Sequence, residues 1–383
     1  MIRLAFAIHS NKTWLGGINV ILNFIDSILI LKNSRVKIVL ITNSINKLKK
    51  FKLNKDIEII EDINFFDQNI IKKFLDKISI IFNGRTIFLE KFLLKNKINY
   101  ISHTTILTGN NSFTKSIIWI PDFQYLYFPN FFSIKYRILK KLNINLYKKH
   151  AYKILLSSND AKKDLKKLCN ISNNKIIINK FNFSILDYKN LKNFEYLKKK
   201  YSLKNNFFYL PNQYWLHKNH KVVIKALHIL KIKNNENIFV YSSGSKQDYR
   251  HPQNFKNLFS LINKYKIKKN YMHLGLIPFN DVMSLIHHSL AVINPSYFEG
   301  WSSSVEQAKA YDKKIILSNI AVHKEQNPKF PYYFKPDDHV KLSKILLLIN
   351  SKISKKHTLR KIKKLPDVSI KNYCKVVLNN NYN

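Results

Sequence analysis

Short apolar runs that alternate with segments of helical periodicity constrain the fold of this chain more than any other feature. The first series of predicted buried strands covers residues 3–8, 36–42, 57–60, 78–82, 117–120 and 154–157. The second series covers residues 207–210, 238–241, 271–274, 290–294 and 314–317. Helical periodicity is clearest in residues 18–31, 64–74, 218–232, 280–288 and 303–311. This alternation predicts an α/β fold with mostly parallel sheets.

The two series imply two domains. A polar, Lys- and Asn-rich stretch at residues 187–206 separates them and is interpreted as a linker. We therefore predict two doubly wound Rossmann-like domains, an N-terminal one over residues 1–186 and a C-terminal one over residues 207–353. Residues 354–383 are expected to form a closing helix that packs back on the first domain. Ligands are expected at the carboxyl ends of the strands, in a cleft between the domains.

The composition excludes several classes of protein. The net charge is +43, but only six of the 66 basic residues are arginine, and the lysines are spread along the whole chain. A nucleic-acid-binding protein concentrates its charge on one face and uses arginine for bidentate contacts, so we expect no nucleic-acid partner. Two cysteines, Cys169 and Cys374, cannot form a disulfide scaffold or a four-ligand zinc site.

Glycine is scarce, so each glycine is expected to mark a positive φ angle or a close backbone approach. The seven are Gly16, Gly17, Gly84, Gly109, Gly244, Gly275 and Gly300. Gly16 and Gly17 stand between the first strand and the first helix, where backbone can approach a ligand closely. Their spacing does not fit the dinucleotide-binding pattern G-x-G-x-x-G.

Polar residues follow three of the predicted strands. After residues 290–294 come Glu299 and Gly300 in a turn, and then Ser302, Ser303 and Ser304 at a helix start. Ser302 or Ser303 is predicted to cap that helix, with Glu306 in its first turn. The free N–H groups of such a terminus suit a phosphate.

The other two segments carry weaker signals. Asn212 and Gln213 follow the strand at residues 207–210, and Lys218 stands near the next helix start, where a bound anion would offset an unfavourable helix dipole. Asp122 follows the strand at residues 117–120. The alternatives are an ordinary surface lysine at Lys218 and an Asp122 that caps the next turn. His217 and His220 form only a weak candidate metal pair.

Four motifs, in this order along the chain, resemble glycosyltransferase family 4. They are W-L-G-G-I-N from residue 14, W-I-P-D-F-Q from residue 119, L-P-N-Q-Y-W-L-H-K-N-H from residue 210 and E-G-W-S-S-S-V-E-Q-A-K-A from residue 299. The resemblance implies a GT-B fold and retaining transfer from a nucleotide-diphosphate sugar to a glycan or a lipid-linked acceptor. It implies a role in cell-surface polysaccharide synthesis and no resident cofactor. The absence of an Asp-x-Asp motif leads us to expect no metal requirement.

The resemblance also suggests roles for individual residues. Glu299 matches the glutamate beside the transferred sugar, and Gln307 occupies the position of a second glutamate that binds the ribose. Lys218 matches the phosphate-binding lysine, whereas Asn212 and Gln213 stand where the family usually has an arginine. The backbone around residues 302–304, with Gly300 and the Gly16–Gly17 pair, would hold the diphosphate. On the acceptor side Pro121 stands near the family's usual histidine, which makes Asp122 the candidate and His103 a weaker one.

Two alternatives remain open. One is a nucleotide-sugar 2-epimerase-like enzyme of the same architecture. The other is a non-enzymatic basic protein that binds nucleic acid or anionic lipid.

The expected location is cytoplasmic, with the protein soluble or peripheral on the inner face of the membrane. A strand is predicted from the second residue, and no apolar run reaches 18 residues. Residues 133–149 place Ile134, Ile138, Leu142 and Leu146 on one helical stripe among basic residues, which suits an anionic membrane surface. The alternative is a charged helix that packs on its own domain. The basic residues are Lys135, Arg137, Lys140, Lys141, Lys148 and Lys149.

Overall fold

A computed structural model describes residues 1–9, 15–31, 35–48, 51, 53–67, 69–181, 191–234, 237–351 and 373–375. These residues form two compact units. The first contains the described residues up to Phe181 together with residues 373–375, and the second contains the described residues between 191 and 351.

In the described part of the first unit, seven strands form one parallel sheet with the order β3-β2-β1-β4-β5-β6-β7. The strands are β1 (Ile2–Ile8), β2 (Val36–Thr42), β3 (Glu58–Glu61), β4 (Tyr100–Thr104), β5 (Lys115–Ile120), β6 (Lys153–Leu156) and β7 (Ile176–Ile178). The helices are α1 (Leu15–Ile30), α2 (Ile45–Leu48), α3 (Ile63–Phe66), α4 (Ile70–Asn83), α5 (Phe88–Lys95), α6 (Gln124–Tyr127), α7 (Ile134–His150) and α8 (Asn159–Leu168). The strand order reverses between β1 and β4, which is where doubly wound sheets bind ligands.

The described part of the second unit has a six-stranded parallel sheet with the order β10-β9-β8-β11-β12-β13. The strands are β8 (Phe208–Leu210), β9 (Val240–Ser242), β10 (Tyr271–His273), β11 (Ala291–Asn294), β12 (Lys314–Ser318) and β13 (Phe330–Phe334). The helices are α9 (Phe194–Tyr201), α10 (His220–Ile232), α11 (Asn254–Lys264), α12 (Phe279–His288), α13 (Ser303–Lys309), α14 (Ala321–Gln326) and α15 (His339–Ser351). Here the switch point lies between β8 and β11.

Both sheets carry helices on their two faces, so their central strands are almost wholly apolar. Leu4 and Phe6 of β1 pack against one helical layer, whereas Ala5 packs with α5 in another cluster. In β8, Phe208 and Leu210 face one core and Tyr209 faces the other. The predicted fold class, two parallel Rossmann-like α/β units, is confirmed.

Several predicted elements are wrong. Residues 78–82 are the last turns of α4, not a strand, and the single helix predicted at residues 64–74 is divided between α3 and α4. Asn69 caps α4, and Gly84 ends it in the left-handed conformation. Strands β4, β7 and β13 were not predicted, since each is short or carries polar residues.

The segment predicted as a linker contains α9, whose Leu197 is fully buried in the core of the second unit. Near the other end of the chain, Tyr373 and Cys374 are buried in the core of the first unit. Tyr373 also donates a hydrogen bond from Oη to Oγ of Ser102, at 2.6 Å. Residues 187–190 and the rest of 352–383 lie outside the described residues.

Candidate active site

The predicted site residues of the second unit gather at the carboxyl ends of β8 and β11, the switch point of that sheet. Glu299 and Lys218 form its centre. Nζ of Lys218 lies 2.7 Å from Oε1 and 2.8 Å from Oε2 of Glu299, so the ammonium contacts both carboxylate oxygens. Both side chains are largely buried, at 16% and 7% exposure. The anion beside Lys218 in this structure is therefore Glu299.

Glu299 is held ionised. Burial would raise the pKa of its carboxyl group, but the positive charge of Lys218 and hydrogen bonds from Lys218 and Ser296 outweigh burial and lower the pKa to about 2. Oγ of Ser296 lies 2.6 Å from Oε1 of Glu299. The site thus presents a fixed carboxylate and a fixed ammonium side by side.

Asn294, the last residue of β11, organises the loop that carries Glu299, and no role was predicted for it. Its Nδ2 donates to Oγ of Ser302 at 2.7 Å and lies 3.2 Å from Oγ of Ser304. Its Oδ1 is 2.7 Å from Oγ of Ser296 and 3.3 Å from Nδ2 of Asn212. The available signal was an asparagine at the carboxyl end of a buried strand, a position where parallel sheets place polar groups.

The serines stand at the start of α13, as predicted, but the predicted capping is wrong. Ser302 occupies the N-cap position with extended backbone, and its side chain makes no capping hydrogen bond because Asn294 holds it. Ser303 begins the helix. The first-turn N–H groups of α13 are therefore not satisfied by a side-chain cap.

Glu306 and Gln307 differ in their surroundings. Oε1 of Glu306 accepts from Nζ of Lys309 at 3.1 Å and from Nε2 of Gln326 at 2.9 Å, so Glu306 holds α13 to α14. Gln307 is 8% exposed. Glu306 therefore has structural partners. This agrees with the motif resemblance, in which Gln307 and not Glu306 occupies the position of the second glutamate.

Asn212 and Gln213 follow β8 and are held by close backbone contacts. Gly244 has a φ of +144°, and a Cβ at this position would lie 2.7 Å from O of Asn212 and 2.8 Å from Cα of Gln213. The N–H of Gly244 donates to O of Gly275, which also has positive φ. Gly244, to which no chemistry was assigned, is therefore required for the shape of the loop that carries Asn212 and Gln213.

Asn219 fixes the position of Lys218. It adopts the left-handed conformation, with φ of 53°, between a single 3₁₀ turn at Leu216–Lys218 and α10. Its Nδ2 donates to O of Pro295 at 3.1 Å and to O of Pro336 at 2.8 Å. These hydrogen bonds tie the segment that follows β8 to the loop that follows β11.

The first unit holds a cavity of about 800 Å³ at the carboxyl ends of β1, β4 and β5. His103 lines it and has a φ of 52°, which is uncommon for a side-chain-bearing residue. Its Nδ1 is 3.0 Å from Oγ of Ser102, while its buried Nε2 has no partner among the described residues. Burial lowers the pKa of His103 to about 3, so its ring is neutral.

The remaining predicted residues occupy different positions. Oδ1 of Asp122 accepts from the N–H of Gln124 at 3.0 Å, which is the turn-capping alternative, and Asp122 is not among the residues that line the cavity.

Gly16 and Gly17 lie in the first turn of α1 and not in a loop before it. Gly16 faces open space, since a Cβ at this position would meet nothing within 4 Å. Trp14 lies outside the described residues.

Positive φ occurs at Gly84, Gly109, Gly244 and Gly275. Gly16, Gly17 and Gly300, the glycines assigned to ligand binding, are not among them. The expected positive φ is thus found at glycines that shape loops, and not at the glycines assigned to ligand binding.

Two properties of the described residues bear on metal ions and membranes. No group of three or more His, Cys, Asp or Glu side chains there could hold a metal ion. Within the same residues, no helix combines the length and the apolar character that crossing a bilayer requires.

Comparison with known proteins shows which proteins this chain is similar to. Residues 195–364 match the family model for glycosyl transferases group 1. The chain is 25% identical to the O-antigen chain mannosyltransferase RfbU of Salmonella typhimurium over 252 residues. The matched region covers 65% of this chain. The match spans 64% of the length of this curated relative.

Solved structures show the same fold. A glycosyltransferase from Rickettsia africae superposes with a TM-score of 0.62 at 17% identity, over 99% of this chain and 94% of that chain. HepE of Anabaena, solved with UDP-glucose, has a TM-score of 0.65 at 12% identity, over 99% of this chain and 95% of that chain. The match to the group 1 model over residues 195–364 bears out the resemblance that the four motifs carry.

Proposed function

Since the chain is a group 1 glycosyltransferase with two Rossmann-like units of the GT-B type, we propose that it transfers a sugar from a nucleotide-diphosphate sugar, with retention of configuration. The observation that carries this proposal is the buried Lys218–Glu299 pair at the switch point of the second sheet. A cation, a carboxylate and an uncapped helix start in one place suit a diphosphate and the sugar attached to it.

Each group has a distinct task in this proposal. Departure of the nucleoside diphosphate leaves negative charge on the phosphate oxygens. Lys218 and the first-turn N–H groups of α13 at Ser302, Ser303 and Ser304 stabilise that charge. Glu299 accepts hydrogen bonds from the sugar hydroxyls and orients the ring. Because Lys218 is paired with Glu299 before the donor binds, the donor phosphate exchanges one anionic partner of Lys218 for another.

The ribose at the nucleoside end of the donor is assigned to Gln307, whereas its diphosphate is assigned to Gly300 and to Asn212 and Gln213, which stand at the position of the family's arginine. As a neutral amide, Gln307 gives the ribose hydroxyls a weaker acceptor than a carboxylate would. The assignment of the donor phosphates to Gly16 and Gly17 remains a prediction from the sequence.

The acceptor is assigned to the cavity of the first unit. Its lining includes Lys73, Lys77 and Lys140 beside apolar residues, which suits a polar glycan attached to an anionic carrier. RfbU is named as an O-antigen chain mannosyltransferase, and we propose that this chain likewise extends a cell-surface polysaccharide on a glycan or lipid-linked acceptor. His103 lines this cavity, whereas Asp122 caps a turn, so His103 is the better candidate for the acceptor side.

The first test concerns the ion pair. We expect Glu299→Ala and Lys218→Ala each to lower kcat by about 10²-fold, the usual cost of removing one group that stabilises transition-state charge. Turnover of UDP-, GDP-, ADP- and dTDP-sugars is measured after a thermal-shift screen with UDP, GDP, ADP and dTDP has selected the nucleotide. Lys221→Ala, at an exposed lysine in the first turn of α10, is the matched control.

Near-wild-type turnover in both Glu299→Ala and Lys218→Ala would refute this assignment. Donor consumption without acceptor would indicate hydrolysis or epimerisation in place of transfer. Unchanged turnover in EDTA is expected, because the proposal requires no divalent cation.

Peripheral association with the membrane is a further part of the proposal. Of the predicted stripe on α7, Ile134, Ile138 and Leu142 are exposed, whereas Leu146 is half-buried and lines the cavity of the first unit. Exposed apolar residues among lysines favour an anionic membrane surface over the packing alternative. The expected location is therefore cytoplasmic, at the inner face of the membrane.

A further inference from the structure

His103 breaks the regular geometry of β4. Neighbouring side chains in a strand point to opposite faces of the sheet, yet Nδ1 of His103 lies 3.0 Å from Oγ of Ser102. The left-handed φ of His103, 52°, departs from that alternation, and the pairing of β4 with β5 shifts register between Ile101 and Thr104. Backbone strain of this kind costs about 1–3 kcal/mol and is concentrated at binding and active sites. The strain at His103 therefore indicates a functional position.

Tyr373, near the other end of the chain, holds Ser102 in place. Both residues are fully buried, and Oη of Tyr373 donates to Oγ of Ser102 at 2.6 Å. Burial raises the pKa of Tyr373 well above its usual value, so its hydroxyl keeps the proton that it donates. The ring of Tyr373 packs edge-on against Phe24, with the ring centroids 4.8 Å apart. Ser102 therefore receives its hydrogen bond from a residue 271 positions away in the sequence.

These contacts decide which nitrogen of His103 carries the proton. Oγ of Ser102 already accepts from Tyr373, and among the described residues its own hydrogen has no acceptor other than Nδ1 of His103. An unmade hydrogen bond at a buried hydroxyl costs about 1–3 kcal/mol, so the Ser102 hydroxyl donates to Nδ1. The ring of His103 is neutral, because burial lowers its pKa to about 3. Its single ring proton is therefore on Nε2.

Nε2 of His103 is thus a buried donor, and it has no partner among the described residues. The rings of Phe6, Phe24 and Tyr373 pack against the His103 ring at centroid distances of 5.6, 4.2 and 6.1 Å. His103 also lines the cavity of the first unit, so a partner for Nε2 can enter from the cavity. Because Nε2–H donates, that partner must offer an acceptor, and the hydroxyl and ring oxygens of a glycan are such acceptors.

We propose that Ser102 and Tyr373 are positioning residues for the acceptor side of the reaction, which hold His103 as a neutral Nε2–H donor to a hydroxyl or ring oxygen of the acceptor glycan. This inference rests on the proposed function, which assigns the acceptor to this cavity. It adds a role for Tyr373, which completes a site at the carboxyl ends of β1, β4 and β5. It also excludes His103 as the base that takes up a proton from the acceptor, because Nδ1 accepts from Ser102 and Nε2 already carries hydrogen.

The tautomer is measured directly by ¹⁵N–¹H correlation spectra of the full chain labelled with ¹⁵N-histidine. We expect the His103 signals, identified by their loss in His103→Phe, to show a protonated Nε2 and an unprotonated Nδ1. In Tyr373→Phe the Ser102 hydroxyl can either donate to or accept from His103, so signals of both tautomers are expected. A protonated Nδ1 in the wild type, or an unchanged tautomer in Tyr373→Phe, would overturn the proposal.

The effect on transfer is measured with octyl mannoside, octyl glucoside and octyl galactoside as acceptor probes, and with the nucleotide sugar that the thermal-shift screen selects. We expect His103→Phe to raise the acceptor KM about tenfold, which corresponds to one neutral hydrogen bond, and to leave the donor KM unchanged. His103→Gln, which restores an N–H donor, should recover part of this loss. Ser102→Ala and Tyr373→Phe should raise the acceptor KM by a smaller factor, because the ring of His103 then has two tautomers.

Tyr241→Phe is the matched control, since it removes the hydroxyl of another buried tyrosine, one that bonds to Ser202 and Lys204 in the second unit. Both KM values should stay at those of the wild type, and the nucleotide thermal shift should be the same in every variant, which shows that each is folded. An acceptor KM of His103→Phe equal to that of the wild type, or a donor KM that rises with it, would contradict the proposal. Transfer by the wild type to none of the glycosides would count against the proposed function, whereas the tautomer measurement still decides the role of Ser102 and Tyr373.

Discussion

Among single residues, the candidate site depends on buried polar groups that satisfy one another. Asn294 is fully buried and joins Ser296, Ser302 and Asn212 across three segments of chain. Buried polar atoms without partners are costly, so removal of such a central residue affects every group that it contacts. The loop that presents Glu299 is therefore fixed by hydrogen bonds and not by apolar packing alone.

We expect Asn294→Ala to lower the free energy of unfolding by about 2–4 kcal/mol, because it removes the buried hydrogen bonds that Asn294 makes with Ser296, Ser302 and Asn212. Urea denaturation followed by circular dichroism measures the loss. Asn263→Ala, an exposed asparagine on α11, is the matched control and should stay within about 0.5 kcal/mol of wild type. A similar small loss in Asn294→Ala would show that the hydrogen bonds of Asn294 are dispensable.

Among the secondary-structure elements, α4 shows how a tertiary contact decides the exposure of a helix. The run of residues 78–82 resembles a buried strand, because four of its five residues are large and apolar. In the structure the caps at Asn69 and Gly84 enclose it within a helix, and Asp76 docks that helix on α5. The apolar pattern alone could not show that Ile81 and Phe82 face outward, because periodicity identifies an apolar stripe but not the surface that it contacts.

Asp76→Ala should detach α4 from α5. It removes the acceptor of three N–H groups at the start of α5, those of Ile87, Phe88 and Leu89, and the longest of these hydrogen bonds is the one from Leu89 at 3.3 Å. We expect a loss of about 2 kcal/mol in the free energy of unfolding. Asp62→Ala removes one capping bond, to Phe65 N at 2.7 Å, and should cost about 1 kcal/mol or less. Equal losses in the two variants would argue against the docking role of Asp76.

Across the molecule, both units bury histidines in neutral form. Burial lowers the pKa of His103 and of His220 to about 3 and that of His323 to about 4. The unfolded chain takes up protons on these residues below a pKa of about 6.5, whereas the folded chain does not. Folding is therefore opposed progressively as the pH falls below about 6.5.

We expect the urea midpoint to fall between about pH 6.5 and pH 4, with each buried histidine contributing up to about 1.4 kcal/mol per pH unit. Glu299 acts in the same direction at lower pH, since its pKa is about 2 in the folded chain and its stabilising effect is lost as the pH falls from about 4.5. Urea titrations at several pH values measure the slope, and His103→Asn should make it shallower. A midpoint constant over this range would contradict the prediction.

Local signals in the chain were enough to predict the α/β class, the two Rossmann-like units, most of the strands and the family, because short apolar strands and strand-end motifs are each contained in a few residues. They also identified Lys218 and Glu299 individually. The folded arrangement alone reveals that these two residues, 81 positions apart, form one buried pair, that Asn294 holds their loop, and that α4 exposes its apolar face. Each of these depends on which distant backbone and side-chain groups meet, and the free energy of those contacts is not encoded in any local window of sequence.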